Sequence, residues 1–447
     1  MKQLFPVLKS MLFALIIISM AAACQPSTPE TEEFENPFAG PSPWPEIRKE
    51  RLQKLLPQAM EAADVDAWAV ICRENNNDPI AHHVGGENAG GTAVFLFHRS
   101  GNGIKSTVFS PIGEATALAD LKIHDEVIPV ERGASAISQA AEFIKSQNFK
   151  NIAINSSNEN ELADGISYTQ RIAFEKALGR EASKLISSNE LVYEFLAIKL
   201  PTEVEIMTQA AQLTSDWQYE AYAQIIPGKS TDADIAKFLK KKMEQYGVTD
   251  AWSPDQNPNV NSGPDRGHSH ATDKVIMPGD VIQIDFGIRV FDMWVSDIQR
   301  FAYVLREGET QAPDSVQFYF DSSIGGNRIA LAAMKPGVLG YQVDKAQRDW
   351  MAERGSEYVM WSTGHPVGYV AHDIGPNLGG GLLENPASRP AAVKPLKEGM
   401  LFAFDGFHAW NLPGGGTKTM SVEETAVVTA DGAWYLIEPQ KELILIK

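Results

Sequence analysis

The sequence predicts an α+β protein in which an α/β unit is followed by a duplicated helix–helix–strand unit. Strands and helices alternate between residues 46 and 200, which is typical of a mainly parallel or mixed sheet covered by helices. After residue 200 the order changes to long helices followed by strands, and this order occurs twice. A chain of 447 residues is also too long for one ordinary hydrophobic core, so two domains are expected.

The first unit, residues 46–200, is expected to open with a helix over 47–63, where apolar residues recur at helical spacing. It holds no constellation of catalytic residue types. Short apolar runs and helical patterns in the rest of this unit predict strands at 66–72, 92–98, 106–110, 126–130 and 151–155, and helices at 114–121, 134–147 and 164–178.

The second unit, residues 201–447, contains the repeat. Each half has two helices separated by a Pro-Gly pair, and the pairs at 227–228 and 336–337 lie 109 residues apart. The strand GDVIQIDFG of the first half is echoed by GMLFAFDG in the second. Helices are therefore predicted over 202–225, 232–246, 314–334 and 341–353, with strands at 279–287, 294–304 and 399–406.

Each half places one acid at a strand end and another on or beside the partner strand: Asp285 and Asp297, then Asp405 and Glu423. Alone, each is an ordinary turn or strand-edge carboxylate. Halves that close on one sheet would bring the four together, and four carboxylates cannot stay ionised in a dry pocket without cations. Two divalent ions carry the matching charge, and oxygen ligands with an imidazole favour Mn, Co, Zn or Fe.

Candidates for the imidazole lie in two glycine-rich segments. His268 and His270 stand in SGPDRGHSHATD, and His365 and His372 stand in WSTGHPVGYVAHDIGP. Any one of them could be a surface or capping histidine. Four of the nine histidines of the chain fall in these two segments, which favours a shared site.

Residues 200–440 resemble the pita-bread metallopeptidase family, which includes aminopeptidase P, prolidase and methionine aminopeptidase. The resemblance implies a dinuclear site with two divalent ions, manganese being expected before cobalt, zinc or iron. The family's ligand order of Asp, Asp, His, Glu, Glu is similar to Asp285, Asp297, His365, Asp405 and Glu423.

The same resemblance implies roles for further residues. His268 matches the family's early pocket histidine, which contacts substrate and shuttles protons, with His270 as the fallback for that role. His372 matches the later substrate-facing histidine, and Glu423 would assist as a catalytic base.

The first unit resembles the creatinase-type N-terminal domain, which favours aminopeptidase P or prolidase over methionine aminopeptidase. The expected function is therefore hydrolysis of the N-terminal residue from Xaa-Pro peptides. Relatives of this architecture tend to dimerise, so a homodimer is a further expectation by analogy.

Several residues depart from the family pattern. Asp405 stands in place of Glu, Gln299 in place of Thr and Ser421 in place of Arg, and the interval from Asp285 to Asp297 is one residue longer than usual. Two alternatives follow. One is a weakened or inactive site that binds peptides or a partner at the cell envelope. The other is a metal-free hydrolase of the creatinase kind.

The N-terminus has the features of a targeting signal. Residues 1–23 contain a basic start, an apolar run and small residues before Cys24, and they resemble a lipoprotein signal peptide and lipobox. This resemblance implies lipidation of Cys24, with residues 24–45 as a flexible tether. Gln25 after the cysteine favours the bacterial outer membrane. The net charge of −18 argues against nucleic acid as a partner and leaves the lipid anchor as the membrane contact.

Overall fold

The computed structural model describes residues 36–101, 103–266, 270–358, 362–406, 408–412 and 415–447. The predicted signal peptide and Cys24 lie outside these residues. Within the described part of the chain, no helix combines the length and hydropathy needed to cross a membrane.

The first unit is built on a mixed six-stranded sheet, as the alternating pattern predicts. The spatial order of the strands is β4-β3-β2-β1-β5-β6, and only β2 runs antiparallel to its neighbours. The central strand β1 is buried along its whole length, which explains its continuous apolar sequence. The strands are β1 Ala67–Cys72, β2 Ala93–Ser100, β3 Gly103–Pro111, β4 Glu126–Val130, β5 Ile152–Ile154 and β6 Leu185–Ser187.

The helices of this unit are α1 Trp44–Ala62, α2 Ala81–Val84, α3 Ile112–Asp120, α4 Ala136–Ser146, α5 Tyr168–Leu178 and α6 Asn189–Ala197. The packed part of the chain begins earlier than residue 46. Phe38 is buried, with its ring centroid 5.4 Å from that of Phe291, and Asn36 Nδ2 donates to the Tyr246 carbonyl oxygen. The end of the expected tether is therefore docked on the second unit.

The long helices of the second unit are α7 Pro201–Ala223, α8 Asp232–Tyr246, α9 Asp314–Ala333 and α10 Gly340–Ala352. Local signals explain the bounds of α8. Thr231 and Asp234 form a reciprocal capping box at its start. Gly247 ends the helix in the left-handed region, with φ 65°, where glycine carries no steric penalty.

The strands of the first half are β7 Thr249–Asp250, β8 Asn259–Ser262, β9 Val281–Phe286, β10 Ile288–Val290, β11 Trp294–Val295 and β12 Ile298–Val304. Those of the second half are β13 Glu357–Tyr358, β14 Gly364–Pro366, β15 Leu401–Phe404, β16 His408–Asn411, β17 Thr417–Thr419, β18 Glu424–Thr429, β19 Gly432–Tyr435 and β20 Ile444–Ile446.

The predicted repeat is present in the strand order. β8, β9 and β12 pair antiparallel in the first half, and β14, β15 and β18 pair in the same way in the second. The two sets of strands meet where Gln299 and Glu423 exchange backbone hydrogen bonds of 3.4 and 3.3 Å. Next to this bridge, Arg300 donates to both carboxylate oxygens of Glu424 at 3.0 Å, and both side chains are buried.

One predicted strand is wrong in its extent. The apolar run 294–304 is not continuous, because the chain leaves β11 at Val295 and enters β12 at Ile298. The extra residue between Asp285 and Asp297 lies in the β10–β11 hairpin, where Phe291 and Asp292 have φ 52° and 57°. The longer connection therefore forms a hairpin of its own and does not bulge a strand next to the acids.

Gly287→Ala is expected to destabilise this region. A Cβ at Gly287 would lie 2.1 Å from the Ser296 carbonyl oxygen and 2.6 Å from the Trp252 ring. Overpacking of this kind lowers the free energy of unfolding by about 1–3 kcal/mol, so the thermal unfolding midpoint should fall. Gly113→Ala is the matched control, because a Cβ there meets nothing within 4 Å. Equal midpoints for the two variants would contradict this packing.

Candidate metal centre

The four predicted acids lie at the junction of the two halves. Asp285 is at the end of β9, Asp297 immediately precedes β12, Asp405 follows β15, and Glu423 precedes β18. Each is at most 5% exposed. The strand-end positions that the repeat predicted are therefore occupied, and both halves contribute to one place.

These acids and two histidines face a cavity of about 290 Å³. The cavity lies between the β9–β12 strand pair and the segment that carries the two histidines. Its lining residues are Trp252, Gln256, Asn259, Asp285, Asp297, Gln299, Ser362, His365, Ala371, His372, Asn377, Asp405 and Glu423.

Three of the side chains already stand at the spacing of a metal site. His365 Nε2 lies 3.8 Å from Asp297 Oδ2 and 3.9 Å from Glu423 Oε1. One ligand atom from each of the three residues falls within 4.8 Å of the others. A carboxylate–imidazole–carboxylate set of this kind suits a borderline divalent cation.

The orientation of His365 is set by its own backbone. Its Nδ1 lies 3.2 Å from the Pro366 carbonyl oxygen, so a proton on Nδ1 leaves the Nε2 lone pair facing the acids. Burial, together with the neighbouring His372, lowers the pKa of His365 to about 4. The two rings are in contact, with centroids 4.2 Å apart. His365 is therefore neutral and ready to act as a ligand.

The electrostatics of the cluster call for a cation. Burial, and then the charges of the neighbouring acids, raise the pKa values of Asp297, Asp405 and Glu423 well above the ordinary range. Glu423 Oε2 is buried and has no hydrogen-bond partner among the residues that the structure describes. An unpaired carboxylate oxygen among like charges is costly unless a positive ion neutralises it. The residues present fit a divalent metal on these grounds.

Asp405, which replaces the family's Glu, is held by neutral donors. The Gly406 N–H donates to Oδ1 at 2.6 Å, and Gln299 Nε2 donates to Oδ2 at 3.3 Å. Gln299 is held in turn by Gln283 Nε2, 2.7 Å from its Oε1. Two departures from the family pattern, Asp405 and Gln299, are thus in direct contact, and the amide extends toward the shorter side chain.

The histidine predictions have different outcomes. His372 is exposed at the cavity. His270 is also exposed but is not among the residues that line the cavity. His268 and Cys24 lie outside the described residues, so their roles stay predictions.

Sequence reasoning missed several lining residues, namely Trp252, Gln256, Asn259, Ser362 and Asn377. They come from loops and strand ends far apart in the chain. The segment WSPDQNPN, which runs into the first residue of β8, offered only its proline and asparagine content as a sign of a loop near the site.

Comparison with known proteins is consistent with this geometry. A model of metallopeptidase family M24 matches residues 205–430, which include all five predicted ligands. An uncharacterized peptidase, YqhT, of Bacillus subtilis (strain 168) is 27% identical over 321 residues, covering 71% of this chain and 81% of that protein.

Two solved structures share the fold. The X-Pro aminopeptidase from Thermotoga maritima MSB8 has a TM-score of 0.64 at 22% identity, covering 87% of this chain and 100% of that one. The Xaa-Pro dipeptidase from Bacillus anthracis has a TM-score of 0.64 at 22% identity, covering 90% of this chain and 100% of that one. The predicted combination of an N-terminal unit with a C-terminal pita-bread fold is confirmed.

Glu423→Gln is expected to weaken binding of Mn(II) by more than about 100-fold, because loss of residues that merely support a ligand already costs 10–100-fold. Isothermal titration calorimetry of the metal-depleted protein measures this directly. Glu353→Gln, at a side chain 77% exposed, is the control and should bind as the wild type does. Unchanged affinity in Glu423→Gln would remove Glu423 from the ligand set.

Proposed function

The chain belongs to metallopeptidase family M24, and from that premise we propose that it is a metal-dependent aminopeptidase that releases the N-terminal residue of Xaa-Pro peptides. One observation carries the proposal. Five residues of ligand type, drawn from both halves of the repeat, line a single cavity: Asp285, Asp297, His365, Asp405 and Glu423.

In this proposal the ligands divide between two sites. Asp285 and Asp297 would hold one ion, His365 and Asp405 would hold the other, and Glu423 would reach both. Manganese is the expected ion. Bound divalent ions would polarise the scissile carbonyl and make water a stronger nucleophile at neutral pH.

The residues of the chain supply binding and proton transfer. Among the described residues, Glu423 Oε2 has no hydrogen-bond partner, so this oxygen is open to a metal ion or to a proton of the bound substrate. His372, exposed at the cavity, can orient the peptide and donate an N–H to the carbonyl oxygen as negative charge develops there. His268 would contribute in the same way.

The size of the cavity supports an exopeptidase. About 290 Å³ is at the small end of ligand pockets, so the cavity admits the end of a peptide more readily than its middle. Trp252 and Ala371 add apolar surface on which a proline ring can pack.

A second candidate is a weakened site that binds peptides or an envelope partner without turnover. It is favoured by the contacts of Asp405, whose two carboxylate oxygens already accept hydrogen bonds from Gly406 and Gln299. Those bonds compete with metal coordination by the same oxygens.

A cleavage assay read by mass spectrometry separates the candidates. The soluble form from Pro26 is incubated with Mn(II) and matched peptides with and without proline at position two. We expect loss of the first residue only, only before proline, and no loss after chelation. The Asp297→Ala variant should show no cleavage.

Other outcomes would favour other functions. Cleavage confined to dipeptides would indicate a prolidase, and cleavage that resists the chelator would indicate a metal-free hydrolase. No cleavage with Mn(II), Co(II) or Zn(II) would favour the binding protein.

We also propose that Cys24 is lipidated and anchors the protein in the cell envelope, in the outer membrane. The support is the sequence before Cys24 and the Gln that follows it. Cys24→Ser should move the protein from the detergent phase to the aqueous phase in Triton X-114 partition. Cys72→Ser changes the buried thiol and should leave partition unchanged. A detergent-phase Cys24→Ser protein would refute the anchor.

A further inference from the structure

A buried network of charges connects the first unit to the segment that carries His372. Arg51 on α1 is 1% exposed, and its Nη1 donates to Glu203 Oε2 at 2.6 Å. The other carboxylate oxygen of Glu203 accepts from the Tyr369 hydroxyl at 2.6 Å and from Trp294 Nε1 at 3.1 Å. Glu203, at the start of α7, thus joins α1, β11 and the loop 366–374.

A second buried ion pair fixes the far end of that loop. Lys199 Nζ lies 3.1 Å from Asp373 Oδ2, and the same oxygen accepts from the Tyr369 backbone N–H at 2.9 Å. The ammonium group also lies 4.6 Å from the centre of the Tyr369 ring. Gly368 makes room for the pair, because a Cβ there would meet the Asp373 carboxylate at 2.2 Å and Lys199 Cε at 2.4 Å.

The loop is connected to the candidate metal ligands through its backbone. The Asp373 N–H donates to the Pro366 carbonyl oxygen at 3.0 Å, and this carbonyl is the partner of His365 Nδ1. The Gly368 carbonyl accepts from the Val295 N–H at 2.8 Å, two residues before Asp297. A shift of the loop would therefore move His372 and disturb two of the ligands.

Stability alone does not account for four charges in the interior. Two basic and two acidic side chains are removed from water here, and such groups add little net stability over well-packed apolar residues. Their hydrogen bonds have fixed directions, which apolar packing does not provide. Burial would raise the pKa of Glu203, but Arg51 and the hydrogen bonds outweigh it and lower that pKa, so the carboxylate stays ionised.

We propose that the buried ion network of Arg51, Lys199, Glu203, Tyr369 and Asp373 is a positioning device that holds the loop 366–374 and thereby aims His372 into the cavity. Arg51 lies on α1, so α1 influences the geometry of the cavity through this side chain. No described residue of α1 lines the cavity itself. The effect on rate rests on the proposed function, whereas the effect on the loop does not.

Tyr369→Phe tests the network with little risk to folding. It removes one hydroxyl and leaves every charge paired, whereas loss of Glu203 would strand a buried Arg51. Tyr303→Phe is the matched control, because its buried hydroxyl also donates to a carboxylate, Glu309 Oε2 at 3.0 Å, but lies on β12 away from the loop.

The first readout is hydrogen–deuterium exchange of the peptide that spans residues 366–374. We expect exchange about tenfold faster in Tyr369→Phe than in the wild type, the effect of losing one strong hydrogen bond. Tyr303→Phe should match the wild type in this peptide. Equal exchange in the two variants would overturn the proposal. Because the measurement does not depend on catalysis, it tests the role of the network even if the protein cleaves no peptide.

The second readout applies once an Xaa-Pro substrate is established. Misplacement of a substrate-facing group lowers kcat, so kcat of Tyr369→Phe, measured at saturating Mn(II), should fall about tenfold. The Tyr303→Phe variant should keep the wild-type kcat at a similar thermal midpoint. A kcat loss shared by both variants would indicate general destabilisation and would refute the positioning role.

Discussion

The bridge between Gln299 and Glu423 is the contact on which the site depends. It joins the strands of the two halves, and the bidentate Arg300–Glu424 pair beside it fixes their separation. Neither half holds the full set of acids. The position of Glu423 relative to Asp297 is therefore a property of the joined sheets, and the cluster exists because a buried arginine and a pair of backbone hydrogen bonds hold repelling groups together.

The side chains and backbone groups that donate hydrogen bonds to Asp405 are uncharged. Gln283 and Gln299 form a chain of amides that ends on Asp405, and Gly406 offers a backbone N–H to the same side chain. Amide donors orient a carboxylate without cancelling its charge, so Asp405 still attracts a cation although the same bonds engage its oxygens. The full charges nearest to the cluster are paired with one another, Arg300 with Glu424 beside the bridge and Lys199 with Asp373 behind the histidine segment.

Much of the second unit was predictable because its signals are local and occur twice. The bounds predicted for α8 agree with the structure, since a capping box and a terminal glycine mark both ends. The break between β11 and β12 was missed because the only turn-forming residue types in the run from Trp294 to Val304 are Ser296 and Asp297, and neither excludes a strand.

Other features could not be read from the sequence because they depend on contacts between distant segments. Trp252 and Asn377 face the acids only after both halves have joined. Glu203 falls in the predicted helix 202–225, where charges normally face solvent, and Lys199 lies in the connection before it, yet both are buried. Whether a charge is solvated or paired in the interior is decided by packing, which composition and periodicity do not encode.

The joined sheets also bear on how the chain folds. Arg300 and Glu424 are 124 residues apart in sequence, so their contact requires a long loop of chain to close, which is typical of slowly folding topologies. Closing so long a loop costs little more than closing a moderate one, because the entropy grows only with the logarithm of length. The mutual repulsion of the acids opposes the joining of the two halves. A divalent ion would favour this joining, because it binds the assembled cluster of acids and the unfolded chain has no such cluster.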